Sequence, residues 1–266
     1  MPRPVIALLT DFGTRDHYAG AMKGVALGIC PDLTLVDISH DVPPHDVLAG
    51  ALELAACFRY FPAGTIFLVV VDPGVGSSRR GIAADAGDYK FVAPDNGVLT
   101  LALEEAPARK IVELTERRYA RPTVSRTFEG RDRFAPAAAW LAKGIELSAL
   151  GRPAGSIHRL EVPRPAIAPD RLSGEVLRVD RFGNLITNID RKIFDTLAQG
   201  GALEVRVGAH VVSRVVSTYA DVDAGAREVC ALFGGSDYLE IAANGSSAAS
   251  QLGVGRGAPV HIVRLA

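Results

Sequence analysis

One stretch constrains the fold more than any other: Thr65-Ile-Phe-Leu-Val-Val-Val71, which has no polar side chain after its first position. A strand that is apolar on both faces must be covered on both, the condition met in a parallel sheet flanked by helices. Val5–Leu9 has the same character. Helical segments alternate with these runs. Ala19–Ile29 carries apolar residues at helical spacing and stops at Cys30-Pro31-Asp32, and Val47–Phe58 is rich in Ala and Leu. Leu33–Ile38, Ile82–Ala84 and Lys90–Ala93 read as further strands, Val98–Glu105 and Pro136–Lys143 as short helices. This alternation predicts an α/β N-terminal domain over residues 1–162, three-layered, with a largely parallel sheet.

The pattern changes after residue 160. Val162-Pro-Arg-Pro-Ala-Ile-Ala-Pro169 holds three prolines in eight residues, so 163–170 reads as a linker. Beyond it come short alternating, β-branched runs separated by Gly, Asn and Asp: Ser173–Val179, Leu185–Asn188, Ala202–Val207, Val211–Val216, Val229–Phe233, Tyr238–Ala242 and Pro259–Leu265. They predict a smaller all-β C-terminal domain over 171–266, a barrel or a sandwich.

With 29 Lys+Arg against 30 Asp+Glu the formal charge is −1, so no global field draws the chain to nucleic acid or an anionic membrane. No apolar run approaches the length of a membrane span. The start reads as a first core strand rather than a signal peptide, since it runs without a small-residue cleavage site into Asp11. The cysteines, Cys30, Cys57 and Cys230, are odd in number and lack metal-ligand spacing, which points to a reducing cytoplasm.

Ligands of open α/β sheets bind beyond the carboxyl ends of the strands. Asp11 follows the first strand, Asp72 the strongest one, and Asp95 a third. Any one of them is accounted for as a helix cap; three at one sheet edge point to a site. In Asp72-Pro-Gly-Val-Gly-Ser-Ser-Arg79 the glycines lack the third member of a dinucleotide fingerprint, and no phosphate loop is present. The loop suits either an ion pair of Asp72 with Arg79 or a solvated arginine. His40-Asp41-Val-Pro-Pro-His45-Asp46 invites a metal reading but matches no zinc spacing, and hydrogen-bonded turns explain it better. Thr127-Phe-Glu129-Gly-Arg131-Asp132-Arg133-Phe134 is dense in charge: Arg131 and Asp132 suit a structural pair, whereas Glu129 has no evident structural task. Asp180-Arg-Phe182-Gly-Asn184 suits a hairpin turn, and equally a purine site with an aromatic face and polar edges.

Taken in order, TDFG at 10–13, DISHDVPPHDV at 37–47, VDPGVGSSRR at 71–80, APDNG at 93–97, TFEGRDRFAP at 127–136, DRFGNLITNI at 180–189 and YLEIAANG at 238–245 resemble the adenosine-forming S-adenosylmethionine (SAM) hydrolases, relatives of the SAM-dependent fluorinase and chlorinase. The resemblance implies an α/β domain followed by a β-barrel, a homotrimer with sites at subunit interfaces, SAM as substrate and adenosine as product, and no cofactor. It implies that Asp11 holds the ribose diol, with His45 beside it. Asp180, Phe182 and Asn184 are implied as adenine and methionine contacts, with Asp72, Gly235, Ser236, Glu240 and the backbone at Ala243 completing the substrate site. The sequence departs from the family's Asn-Ser pattern at Gly234–Asp237. Asp72 and Arg79 match the first two members of an Asp–Arg–His catalytic set, and Glu129 stands where the histidine is expected.

The chemistry such a site faces is simple. Departure of the sulfonium from C5′ leaves a neutral thioether, so no general acid is needed and the burden falls on the water. Water, with a pKa near ~15.7, must be positioned and relieved of a proton. Arg79 suits the positioning, and Asp72 or Glu129 the proton. Carboxylates would repel a halide nucleophile in a poorly solvated pocket. The alternatives are a protein that binds SAM or adenosine with impaired or no turnover, since a glutamate beside Asp72 adds like-charge repulsion, and a metal-dependent hydrolase built on His40, Asp41, His45 and Asp46.

Overall fold

The computed structural model describes residues 3–223 and 227–265, so the outermost positions of the two expected domains lie outside the described residues. The chain divides into two compact units, Met1–Glu161 and Val162–Ala266.

In the first unit, β1 (Val5–Thr10), α1 (Tyr18–Ile29), β2 (Thr34–Ser39), α2 (Val47–Cys57), β3 (Ile66–Val70), β4 (Gly81–Ala86), β5 (Tyr89–Pro94), α3 (Thr100–Glu105), β6 (Ala108–Glu113) and α4 (Ala135–Ala142) follow in order. The sheet runs β2-β1-β3-β5-β4-β6. Its first four strands are parallel, and β4 is antiparallel to both β5 and β6. All five residues of β3 are buried, as its two-sided apolar character requires. Met22, Ala26, Ala138 and Leu141 from α1 and α4 pack on one face with Leu68 and Val70. Ala49, Leu54, Ala102 and Leu103 from α2 and α3 pack on the other with Phe67 and Val69. The result is the expected three-layer α/β architecture. The edge strand β6 was not anticipated: only Val112 of its six residues is buried, so its sequence carries little strand signal.

The second unit contains β7 (Ala166–Ala168), β8 (Arg171–Val179), β9 (Leu185–Asp190), α5 (Arg191–Ala198), β10 (Leu203–Val207), β11 (His210–Val212), β12 (Val229–Phe233), β13 (Tyr238–Ala243), α6 (Ala248–Leu252) and β14 (Pro259–Arg264). Antiparallel pairing runs β11-β10-β14-β8-β9-β13-β12, with β7 on β8. The circuit is nearly closed by residues beyond β11, where the Ala231 amide donates to the Arg214 carbonyl at 2.8 Å and the Val216 amide to the Ala231 carbonyl at 2.9 Å. A barrel filled by Val176, Leu185, Val205, Leu239 and Ile262 results.

Three expectations need correction. The proline-rich 163–170 is not all linker, because Ala166–Ala168 pair with Arg171–Ser173. Val211–Val216 is not one strand: pairing with β10 stops at Val212, and the chain then crosses to β12. The unit is also not purely β. Asp190 caps α5 by accepting the Ile193 amide at 2.9 Å, and Phe194 and Leu197 are its buried face.

Candidate active site

Register places Thr10 opposite Val70, and β5 follows β3 in parallel, so Asp11, Asp72 and Asp95 leave the sheet at one edge. Their roles differ. Asp95 accepts the His158 amide at 2.8 Å and Arg80 Nε at 2.9 Å, which fixes the segment crossing this edge. Asp11 accepts the His45 amide at 2.8 Å, and His45 adopts a left-handed φ of 67° to present it. The structure therefore brings Asp11 and His45 together. The neighbouring His40 is buried, with Nδ1 2.8 Å from Thr10 Oγ1 and Nε2 3.0 Å from Asp37 Oδ1, while Asp46 caps α2 through the Ala49 amide. Among the described residues no group of three or more His, Cys, Asp or Glu is placed to hold a metal ion.

Asp72, Arg79 and Glu129 form one buried cluster. Arg79 Nε donates to Asp72 Oδ1 at 2.8 Å, and Nη2 donates to Oδ2, a bidentate pair. On the other side Arg79 Nη1 lies 2.6 Å from Glu129 Oε2. That contact is an ion pair out of line for a hydrogen bond, so the buried Oε2 has no in-line donor. Phe134, fully buried, lies beneath the guanidinium, its ring centre 5.2 Å from Cζ. Burial works to lower the Arg79 pKa, but Asp72 and Glu129 outweigh it and hold it above its ordinary value. Arg79 is thus a fixed cation and not a solvated side chain.

Local backbone explains the meeting. Gly76 has φ 79°, and a Cβ there would lie 2.4 Å from the Arg126 carbonyl oxygen, so only glycine lets the Asp72 loop touch the chain leading to Glu129. Glu129 opens a π-helical turn, Gly130–Phe134, closed by the Ala135 amide on the Gly130 carbonyl. Such turns recur at functional sites. Arg133, one turn on, places Nη2 3.5 Å from Glu129 Oε1. Asp132 is fully buried and takes Arg131 Nε at 2.7 Å, Arg131 Nη2 at 2.8 Å and the Ser125 amide at 2.8 Å, the structural pair expected from sequence.

In the second unit Asp180 Oδ1 accepts the amides of Phe182 at 2.9 Å and Asn184 at 2.8 Å, and Oδ2 accepts Asn184 Nδ2 at 3.0 Å. Gly183 has φ 85°, and a Cβ there would collide with Ser247, so the position requires glycine. The turn holds Phe182 outward, 76% exposed. Phe182, Asn184, Tyr219, Ala243 and residues 244–247 wall a cavity of about 530 Å³. Behind it Tyr219 donates to Glu240 Oε2 at 3.0 Å. Burial, then Glu240, pushes the Tyr219 hydroxyl up to about 12. Burial also raises the Glu240 carboxyl, with Asp180 adding to the shift and the Tyr219 bond opposing it. Gly235 and Ser236 form the β12–β13 turn and are not among that cavity's walls. Tyr219 was missed, since a lone tyrosine in a short 3₁₀ turn carries no motif.

A buried charge cluster at the carboxyl edge of an α/β sheet, in a chain that also carries a barrel with an aromatic-walled cavity, defines a two-domain enzyme acting on a small polar molecule. Comparison with known proteins specifies which. Residues 6–151 match the SAM hydroxide adenosyltransferase N-terminal domain and residues 174–261 its C-terminal domain. The chain is 39% identical to an (R)-S-adenosyl-L-methionine hydrolase of Salinispora tropica, over 95% of each sequence. It is 31% identical to a fluorinase of an Actinoplanes species, over 77% of this chain and 78% of that one. A crystal structure of an uncharacterized conserved protein from Thermotoga maritima superposes with a TM-score of 0.90 at 37% identity, covering 97% of this chain and all of that one. The chain belongs to the SAM hydroxide adenosyltransferase family.

Proposed function

We propose that this protein hydrolyses S-adenosyl-L-methionine to adenosine and L-methionine. The oxygen of water bonds to C5′ as the C5′–S bond breaks, its electron pair passes to sulfur as a neutral thioether, and one proton leaves the water. The observation that carries the reading is the Arg79 cluster: Asp72 takes a hydrogen bond from the guanidinium on each oxygen, whereas buried Glu129 Oε2 meets the same guanidinium without an in-line donor. Arg79 orients the water and favours developing hydroxide, and Glu129 accepts the proton. Arg79 also stands between the two carboxylates, which offsets the repulsion expected from sequence. A halide would meet the same carboxylates and be repelled.

Asp11 and His45 are assigned to the ribose, Phe182 to stacking on the adenine, and Asn184, Asp180, Glu240 and the Ala243 backbone to its polar edge and the methionine end. Gly235 and Ser236 keep their assignment to the substrate site, at the adenine or the methionine end. The relatives' name specifies the (R) configuration at sulfur, so that epimer is the first to assay. A homotrimer, in which Phe182 of one copy closes on the Asp11 edge of a neighbour, suits a stacking ring 76% exposed within one chain. A cytoplasmic location suits three free cysteines. No helix among the described residues is long and apolar enough to cross a membrane. Mixing purified protein with SAM after exhaustive chelation tests the reading: adenosine and methionine in equal amounts support it. Activity lost on chelation points to the metal reading, and bound SAM without product to a binding protein.

A further inference from the structure

Glu129 is gripped from two sides, and only one of them belongs to the Asp–Arg pair. Its Oε2 faces Arg79, while Oε1 lies 3.5 Å from Arg133 Nη2. Arg131 and Arg121, the other arginines contacting this turn's carboxylates, are committed to Asp132. Asp72 faces Glu129 only across Arg79. Signs therefore alternate along Asp72, Arg79, Glu129 and Arg133, and removing Arg133 leaves an excess negative charge around a side chain that is 11% exposed. Arg133 lies beside Glu129 as i,i+4 partners do on a helix, and the next residue, Phe134, lies beneath Arg79. A histidine at position 129 would need no such counter-ion; a carboxylate does.

We infer that Arg133 is a positioning residue: it holds Glu129 Oε1 so that Oε2 stays turned toward Arg79 and the attacking water. The inference rests on the hydrolase reading above. Arg133 touches Glu129 and no reacting atom, so its loss acts on the chemical step and not on SAM binding. The test is a cycle of Arg133→Met and Arg133→Lys in the parent and in Glu129→His, with kcat and KM for SAM measured for each. In the parent, Arg133→Met lowers kcat about tenfold with KM within about twofold, and Arg133→Lys recovers most of the loss. In the Glu129→His background Arg133→Met costs less than about twofold, because the group it serves is gone. Urea midpoints of the parent, Arg133→Met, Glu129→His and the double variant add an independent reading: the drop caused by Arg133→Met is larger in the parent than in Glu129→His. Arg133→Gln carries the same expectation if the methionine variant folds poorly. Equal losses in both backgrounds, or a change in KM alone, overturn the inference while the hydrolase reading stands. A parent that forms no adenosine overturns both.

Discussion

Glu129 owes its role to what its neighbours leave unsatisfied. Arg79 meets one oxygen by charge and not by an in-line bond, and under the proposed function that oxygen takes the proton of the attacking water. Glu129→Gln keeps the shape and removes the basicity, and single-turnover adenosine formation should fall by about 100-fold or more. Glu129→His should be no faster than the parent. Glutamine and histidine variants that both match the parent rate would remove Glu129 from the chemistry. In the second unit, Phe182→Ala should weaken adenosine binding by roughly 1–3 kcal/mol, and unchanged calorimetric affinity would take Phe182 out of the site. The Asp72–Arg79 pairing was legible because seven positions of glycine-rich loop separate the partners. From its own neighbours in sequence Glu129 was a charge without a task, and its place in the catalytic set came from the resemblance. Its contact with Arg79 spans fifty positions of sequence, and no local pattern reports a contact of that kind. Tyr219 is the clearer omission, visible only once Glu240 and Asn184 converge on it.

Among the elements, the π-helical turn is the one that builds the site, and its foundation is Asp132. Burial opposes ionisation there, but Arg131, the Ser125 amide and Arg121 outweigh it and hold the carboxyl below its ordinary range. A depressed carboxyl stabilises the fold above its unfolded pKa, near ~4, and that stabilisation is lost as pH falls through the folded value. Asp132→Asn should therefore cost about 2 kcal/mol in urea unfolding at pH 7 and much less near pH 3. A cost independent of pH would contradict the assignment. Strands β1 and β3 of the first unit were legible because two-sided burial leaves an unbroken apolar run, whereas the exposed edge strand β6 was not. Helix α5 was not, because only Phe194 and Leu197 among its eight residues are buried and its surface residues look like a polar loop. The break in Val211–Val216 escaped for another reason: a β-branched run carries the same signal whether it pairs with one neighbour or switches between two.

At the scale of the whole molecule, Asp11, His45 and the Arg79 cluster belong to one compact unit and the aromatic wall to the other. The proposed assembly should sediment with a mass three times 28.1 kDa, and a monomer that still binds adenosine tightly would contradict it. The central claim is that water, activated at the Arg79 cluster, attacks C5′ of SAM. Turnover in ¹⁸O-enriched water reads this directly. The account expects adenosine carrying the label in its 5′-hydroxyl and methionine without it. Label in methionine, release of free adenine, or no adenosine at all would contradict it.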